Sequence, residues 1–313
     1  SLLNSMRSGL VQLEIGVQST NPDTIKAISR ITNFDKISEN VKKVYANRNV
    51  HQHLDLIAGL PYEDYESFKN SFNEVYALKP DQLQLGFLKV LKGTPIVRDA
   101  KEYGIVHRDI PPYEVLFTNW LSFDDVLSLK LVEEMVEVYY NSSQFDTAIT
   151  FMEHYFDSYF DLYRQLGEYY KKHGLLDLKH TRLRRYEILL DFMKPILSNL
   201  EGFKEMLIYD LYLREKLKSR PKFATSDDDK KDIYRKIYSD RILSEKYLGI
   251  SNTNYSLGMA KRYFHVESFK IDPLRSAKEG KYIQDPHLVL FNYKDRDPMN
   301  NNANTKRVKE TII

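Results

Sequence analysis

The sequence predicts an α/β fold: a partial parallel (βα)3 unit, half of a TIM-like barrel, followed by a mainly α-helical domain with a short antiparallel β element. Three observations predict it. Period-two and helical hydrophobic patterns follow one another in strict β-α-β-α-β-α order up to Gly104, the signature of right-handed parallel units. That alternation stops near Pro111-Pro112, well short of the roughly 250 residues that a closed eight-unit barrel takes. Beyond Tyr113 the apolar spacing becomes helical, and period two returns only near the end. The boundary therefore falls between a half-barrel domain at 1–112 and a helical domain at 113–313.

The first strand is predicted where Leu13, Ile15 and Val17 alternate with Gln12, Glu14 and Gly16. Asn21-Pro22 opens a helix, since proline at the first helical position gives up no needed donor. Ile37, Val41, Val44 and Tyr45 carry a second helical stretch, and a strand follows at 52–58, turned by Gly59-Leu60-Pro61. Phe68, Phe72, Val75 and Tyr76 mark a helix ended by Lys79-Pro80, and Leu83, Leu85 and Phe87 mark the third strand. Gly93-Thr94-Pro95 leads into a short helix closed at Gly104. Upstream, Leu2, Leu3 and Met6 before Gly9 resemble the last turns of a helix with its glycine terminator, so we expect the chain to start inside a domain.

In the second domain Ser122-Phe-Asp-Asp125 reads as a capping box ahead of Val126, Leu129, Val132, Val136 and Tyr139. Tyr155, Tyr159 and Tyr163, beside Phe156 and Phe160, predict the aromatic stripe of a long helix ending at His173-Gly174. Further helices are expected at 182–197 and 202–218, a charged linker at 226–231, and antiparallel β segments at 261–269 and 287–293. Asp272-Pro273 and Asp285-Pro286 read as turns between them. The Asn-rich stretch after Asp297-Pro298 is expected as a mobile or docked tail.

Composition narrows the function. The 313 residues contain no cysteine, which excludes disulfides, a cysteine nucleophile and thiolate metal ligands from this chain. Lys plus Arg number 46 against 44 Asp plus Glu, a formal charge of +2, so no strong field attracts nucleic acid or anionic lipid. No apolar run is long enough to span a bilayer and no secretory signal opens the sequence, so a cytoplasmic protein without a membrane partner is expected.

The polar residues of interest follow the strands, and in parallel α/β folds ligands bind at the carboxyl ends of the strands. Gln18 and Ser19 follow the first strand, Arg30 ends the helix behind them, Asp55 lies on the second strand and Glu63 follows its turn. A guanidinium suits a carboxylate, an ionised aspartate accepts from ribose hydroxyls, and Ile57 offers an apolar surface to a base. Spacing alone favours the plainer reading, in which Asp55 caps a turn and Arg30 is a surface residue.

Leu13-Glu-Ile-Gly-Val-Gln-Ser-Thr20, Ile28-Ser-Arg30, His53-Leu-Asp-Leu-Ile-Ala-Gly-Leu-Pro61 and Gly93-Thr-Pro95 together resemble the second half of the radical S-adenosylmethionine barrel. The similarity is to the branch containing oxygen-independent coproporphyrinogen oxidase and the cobalamin-dependent radical enzymes. It implies that Gln18 and Asp55 meet the ribose, Arg30 the methionyl carboxylate and Ile57 the adenine. It further implies that Ser19 and Gly59 belong to the pocket-forming loops, and that Phe87 and Leu88 offer backbone to adenine. The resemblance also implies a 4Fe-4S cluster and, in this branch, cobalamin. The family holds its cluster through a CxxxCxxC loop that this chain lacks. We therefore expect a C-terminal fragment, inactive alone, of a radical enzyme whose N-terminal half is its partner. Tyr209-Asp-Leu-Tyr-Leu-Arg214, Arg220-Pro221 and Phe291-Asn-Tyr-Lys-Asp-Arg-Asp-Pro298 look like the uncharacterised extension of that branch, a substrate cover or partner surface.

Two alternatives come from other residues. His51 and His53 face one side of the second strand with Asp55, as in metal-dependent hydrolases, although further ligands are not evident. Lys179-His-Thr-Arg-Leu-Arg-Arg185 with Tyr186 could contact a phosphate backbone and a base, but a solvated helix face explains it as well. The helical half could also be purely an interaction module. Open edges on the half-barrel lead us to expect self-association or burial of those edges by the helical half. The substrate, whether small molecule or macromolecule, is not identified by the sequence.

Overall fold

The computed structural model describes residues 2–224 and 262–308. The expected linker at 226–231 and residue 261 lie outside these. The chain forms two compact units, one of residues 1–142 and 156–176, the other of residues 143–155 and 177–313.

The first unit carries the α/β order that the periodicity predicts. Strand β1 (Val11–Gln18) leads to α1 (Pro22–Ala27), whose first turn is capped by the Asn21 side chain accepting from the amides of Asp23 and Thr24. Then come α2 (Phe34–Tyr45), β2 (Val50–Ala58), α3 (Tyr65–Tyr76) and β3 (Gln82–Phe87). The strands form a parallel sheet in the order β1-β2-β3, with Glu14 opposite His53 and Asp55 opposite Gln84. Strict alternation of burial along β2 sends Val50, Gln52, Leu54, Leu56 and Ala58 to the helix-covered side.

After β3 the short α4 (Pro95–Asp99) is followed by a hairpin of β4 (Val106–His107) and β5 (Val115–Phe117) that the periodicity did not signal. The Val115 amide donates to the Leu88 carbonyl and the Val90 amide to the Tyr113 carbonyl, so this segment extends over the end of β3. Helix α5 (Phe123–Val136) starts with the expected capping box of Ser122 and Asp125 and continues through a π turn to Asn141. There the Asn141 side chain accepts from the Leu83 amide at 2.9 Å and donates to the Leu83 carbonyl at 3.1 Å, standing in for a neighbouring peptide group. The edge of the third strand is therefore met at Leu83 by the segment that follows α5.

The helix α6 (Asp146–Met152), unforeseen in the sequence, belongs to the second unit, and α7 (Tyr159–Lys172) returns to the first. The aromatic stripe is real but shorter. Ser158 caps α7, which leaves Tyr155 and Phe156 outside it. Phe160 and Tyr163 pack on Phe72 and Tyr76 of α3, with ring centroids 5.4 to 6.1 Å apart and the Tyr76 and Tyr163 hydroxyls bonded at 2.9 Å.

In the second unit α8 (Arg182–Met193) and α9 (Glu201–Arg214) are followed by β6 (Phe264–Ile271), α10 (Pro273–Glu279), β7 (Gln284–Arg296) and β8 (Ala303–Val308). The three strands pair antiparallel and pack Phe269, Val289, Phe291 and Ala303 against Tyr209 and Tyr212 of α9. Two expectations change here. Asp272-Pro273 starts a helix rather than a turn, and Pro286 lies within β7, tolerated beside the bulge that shifts the β6–β7 register. The Asn-rich stretch is not a loose tail. Arg296 donates to the Asn301 carbonyl at 2.7 Å, Arg214 bonds the Asn300 carbonyl, and the turn delivers β8 to the sheet. Tyr186 is fully buried beside Phe145 and cannot stack on a nucleic-acid base. Among the described residues no helix is long and apolar enough to cross a membrane.

Candidate functional site

A cleft of about 350 Å³ opens at the carboxyl ends of β1, β2 and β3, small but within the usual range for a ligand pocket. Gln18, Asp55, Leu56, Ile57, Gln84, Gly86, Phe87, Leu88 and Lys89 line it. Gln84 and Gly86 were missed in the sequence. The signal was present, because β3 sets them on the face of Asp55 through the pairs Asp55 with Gln84 and Ile57 with Gly86.

Local backbone geometry places the first two side chains. Gln18 has φ of 71°, in the left-handed region, where the β1–β2 register shifts between Gly16 and Gln18. Ser29, with φ of 55°, reverses the chain after α1 so that Arg30 Nη1 donates to the Gly16 carbonyl at 3.1 Å. Gly16 lets both approach, since a Cβ there would lie 2.6 Å from the Gln18 amide nitrogen and 3.3 Å from Arg30 Nη1. Gly16→Ala should therefore push the Gln18 amide aside while changing the unfolding midpoint by no more than a degree or two, because the displaced atom ends a flexible side chain. Paired melts and ligand titrations check this. A loss of folding would show that the Gln18 position is not what Gly16 protects.

Asp55 is the chemically distinctive group. Its Oδ1 is buried with no hydrogen-bond partner, an uncommon state for a carboxylate oxygen. Burial raises its pKa above the ordinary carboxylate range, the Glu14 charge raises it further, and His53 opposes both. Ile57 flanks it on the same strand face.

Phe87 and Leu88 line the cleft as well, whereas Ser19 and Gly59 do not. Ser19 is buried and donates to Glu63 Oε1 at 2.6 Å while accepting from the Asn21 amide at 3.0 Å, so its hydroxyl holds the loop together. Gly59, with φ of 87°, faces Val115, whose Cγ1 would lie 2.7 Å from an added Cβ. It lies against the hairpin and does not line the cleft. The Phe87 ring lies under the Lys130 ammonium, 4.1 Å from its centroid. The Leu88 amide donates to Ala58 and its carbonyl accepts from Val115, so the Leu88 backbone donor is already used by the sheet. Glu63, fully buried, anchors Ser19 and Ser71 and has its pKa pushed up to about 7 by burial, against the two serine hydrogen bonds and with help from Asp64.

His51 and His53 sit 6.5 Å apart between ring centroids, and His53 Nδ1 lies 3.1 Å from Glu14 Oε1. Among the described residues no group of three or more His, Cys, Asp or Glu side chains is arranged to hold a metal ion. Nothing in the geometry favours the hydrolase alternative.

The sequence pattern of the family described as Protein of unknown function (DUF4080) matches residues 101–291, more than half of the 313 residues. The chain belongs to that family. Over an alignment of 103 positions that covers 31% of this DUF4080 chain, it is 28% identical to the oxygen-independent coproporphyrinogen-III oxidase-like protein HemZ of Bacillus subtilis (strain 168). The matched region spans 20% of that relative's length. The similarity points to shared ancestry with an oxidase-like protein.

Proposed function

We propose that the first unit forms the nucleoside-binding wall of a radical S-adenosylmethionine enzyme, with the second unit as a substrate cover or partner surface. The observation that carries this reading is the unpartnered, buried Asp55 Oδ1, set in a cleft beside Gln18 and Ile57. A ribose hydroxyl would satisfy that oxygen, Ile57 would support the adenine, and Arg30 beside Gln18 would meet the methionyl carboxylate. The motif resemblance and the similarity to an oxidase-like protein support the same assignment.

S-adenosylmethionine supplies the 5′-deoxyadenosyl group when reductively cleaved, and this chain's residues bind and orient it. The residues present do not fit a 4Fe-4S cluster, because the chain has no cysteine to provide thiolates. In this reading those ligands, and cobalamin if the longer enzyme uses it, belong to another part of the enzyme, in the cytoplasm, and the chain alone is inactive. Calorimetric titration with S-adenosylmethionine tests the wall directly. Binding is expected, weakened by about tenfold or more in Asp55→Ala, the scale of one hydrogen bond to a charged group. Absence of binding to the folded chain, or equal binding by the variant, overturns the proposal.

A further inference from the structure

Parallel sheets are usually covered on both faces and their strands are apolar throughout. The sheet here departs from that. Its face opposite the helices presents Gln12, Glu14, Gln82 and Gln84, all exposed, with His51, His53 and Asp55 half-buried between them. In register these form rows: Gln12 beside His51, then Glu14, His53 and Gln82, then Gly16, Asp55 and Gln84. The last row opens into the cleft, and the first two continue the same face towards the amino ends of the strands.

The middle row is a hydrogen-bonded assembly. Gln12 Nε2 donates to Glu14 Oε1 at 2.6 Å, and His53 Nδ1 lies 3.1 Å from that same oxygen. His53 Nδ1 also lies 3.2 Å from Gln12 Nε2, and its Nε2 has no protein partner among the described residues, so Nε2 is an acceptor in the tautomer that turns the Nδ1 proton towards Glu14. In that tautomer a ligand meeting His53 brings a donor. Charge points the same way, because neither Glu14 nor Asp55 is paired with a lysine or arginine among the described residues. An anionic ligand would meet two carboxylates, whereas an ammonium would be attracted by them. The amides of Gln12, Gln82 and Gln84 suit hydroxyl groups and offer no apolar surface.

We propose that this row, centred on Glu14 and His53, recognises the substrate, a polyhydroxylated molecule carrying a protonated amine. The inference rests on the reading above that Asp55 holds the ribose. His53 lies two residues from Asp55 on one strand, roughly 6.6 Å away by strand rise, so a substrate held by His53 would lie next to the nucleoside.

Glucosamine, glucose and glucuronate probe the row with one ring and three charges. They would be titrated into the folded chain while the Cε1–Hε1 resonances of His51 and His53 are followed, assigned through His51→Gln and His53→Gln. Glucosamine is expected to shift both at concentrations about two- to fivefold lower than glucose, the effect of one partly exposed charge pair, with glucuronate weakest. Glu14→Gln should erase the advantage of glucosamine. Equal responses to the three sugars, a preference for glucuronate, or no response overturns the proposal. A parallel titration with S-adenosylhomocysteine, read at the Ile57 methyl groups, separates the two claims. Silence at Ile57 with an amine-selective response at His53 sinks the cofactor reading alone, and the reverse pattern sinks the substrate row alone.

Discussion

Replacing Asp210 with alanine is expected to destabilise the second unit by about 3–5 kcal/mol, since it leaves two buried backbone amides unpaired at about 1–3 kcal/mol each. Asp210 lies in α9 and is 1% exposed. Its Oδ1 accepts from the Thr147 amide at 3.1 Å and its Oδ2 from the Ala148 amide at 2.9 Å, which caps the start of α6. Alanine leaves both amides buried and unpaired. Burial pushes the Asp210 pKa up to about 8, opposed by the Thr147 and Ala148 hydrogen bonds. A raised carboxyl pKa means that the folded state holds a proton which the unfolded state releases near pH 4. The stabilisation from that proton is complete below about pH 4 and declines as the pH rises towards 8. Urea melts across this window should show stability falling with pH in the native chain. In Asp210→Asn that slope should flatten. An unchanged slope in the asparagine variant would show that the carboxyl does not titrate in the fold.

The second large effect is expected at Glu63. Its Oε1 accepts hydrogen bonds from Ser19 at 2.6 Å, in the loop after β1, and from Ser71 at 3.2 Å, in α3. Ser71 in turn accepts from the Thr20 amide at 3.1 Å. One buried carboxyl thus fixes the loop that presents Gln18 to the turn that follows β2. Glu63→Ala should cost about 2–4 kcal/mol, from the buried Ser19 hydroxyl left without an acceptor, the lost Ser71 bond and a new cavity. It should also weaken S-adenosylmethionine binding, whereas Glu63→Gln should largely preserve it. The pKa of Glu63, raised from 4.5 to about 7 chiefly by burial, adds a pH signature. Its proton-linked stabilisation is complete below about pH 4.5 and fades by about 3 kcal/mol as the pH rises through 7. Glutamine should remove that fade. A chain whose binding survives Glu63→Ala unchanged would show that the loop is held by other contacts.

Both residues illustrate what was legible in the sequence. Glu63 was visible as a polar residue after a glycine-proline turn, but nothing local showed that it is buried or that Ser19 is its partner. The sequence separation of that bond is 44 residues. Asp210 sits among apolar helix residues, and its partners lie 63 and 62 residues earlier in α6, a helix that the periodicity did not reveal. The candidate wall was partly legible for a different reason. Asp55 and Ile57 share a strand face by period two and Phe87 lines the same cleft, whereas Gly59 carries the right type but turns towards Val115.

Residue types and their spacing are enough to specify the strand and helix order of the first unit, the caps at Asn21 and Ser122, and the absence of thiolate ligands. These depend on residue type and on neighbours a few positions away, where backbone geometry imposes fixed periods. The tertiary structure decided the cover that Asn141 gives to β3, the third strand built from the Asn-rich stretch, and the polar face centred on Glu14 and His53. Those depend on which distant segments pair, and a buried polar group chooses its partner by geometry that leaves no periodic trace along the chain.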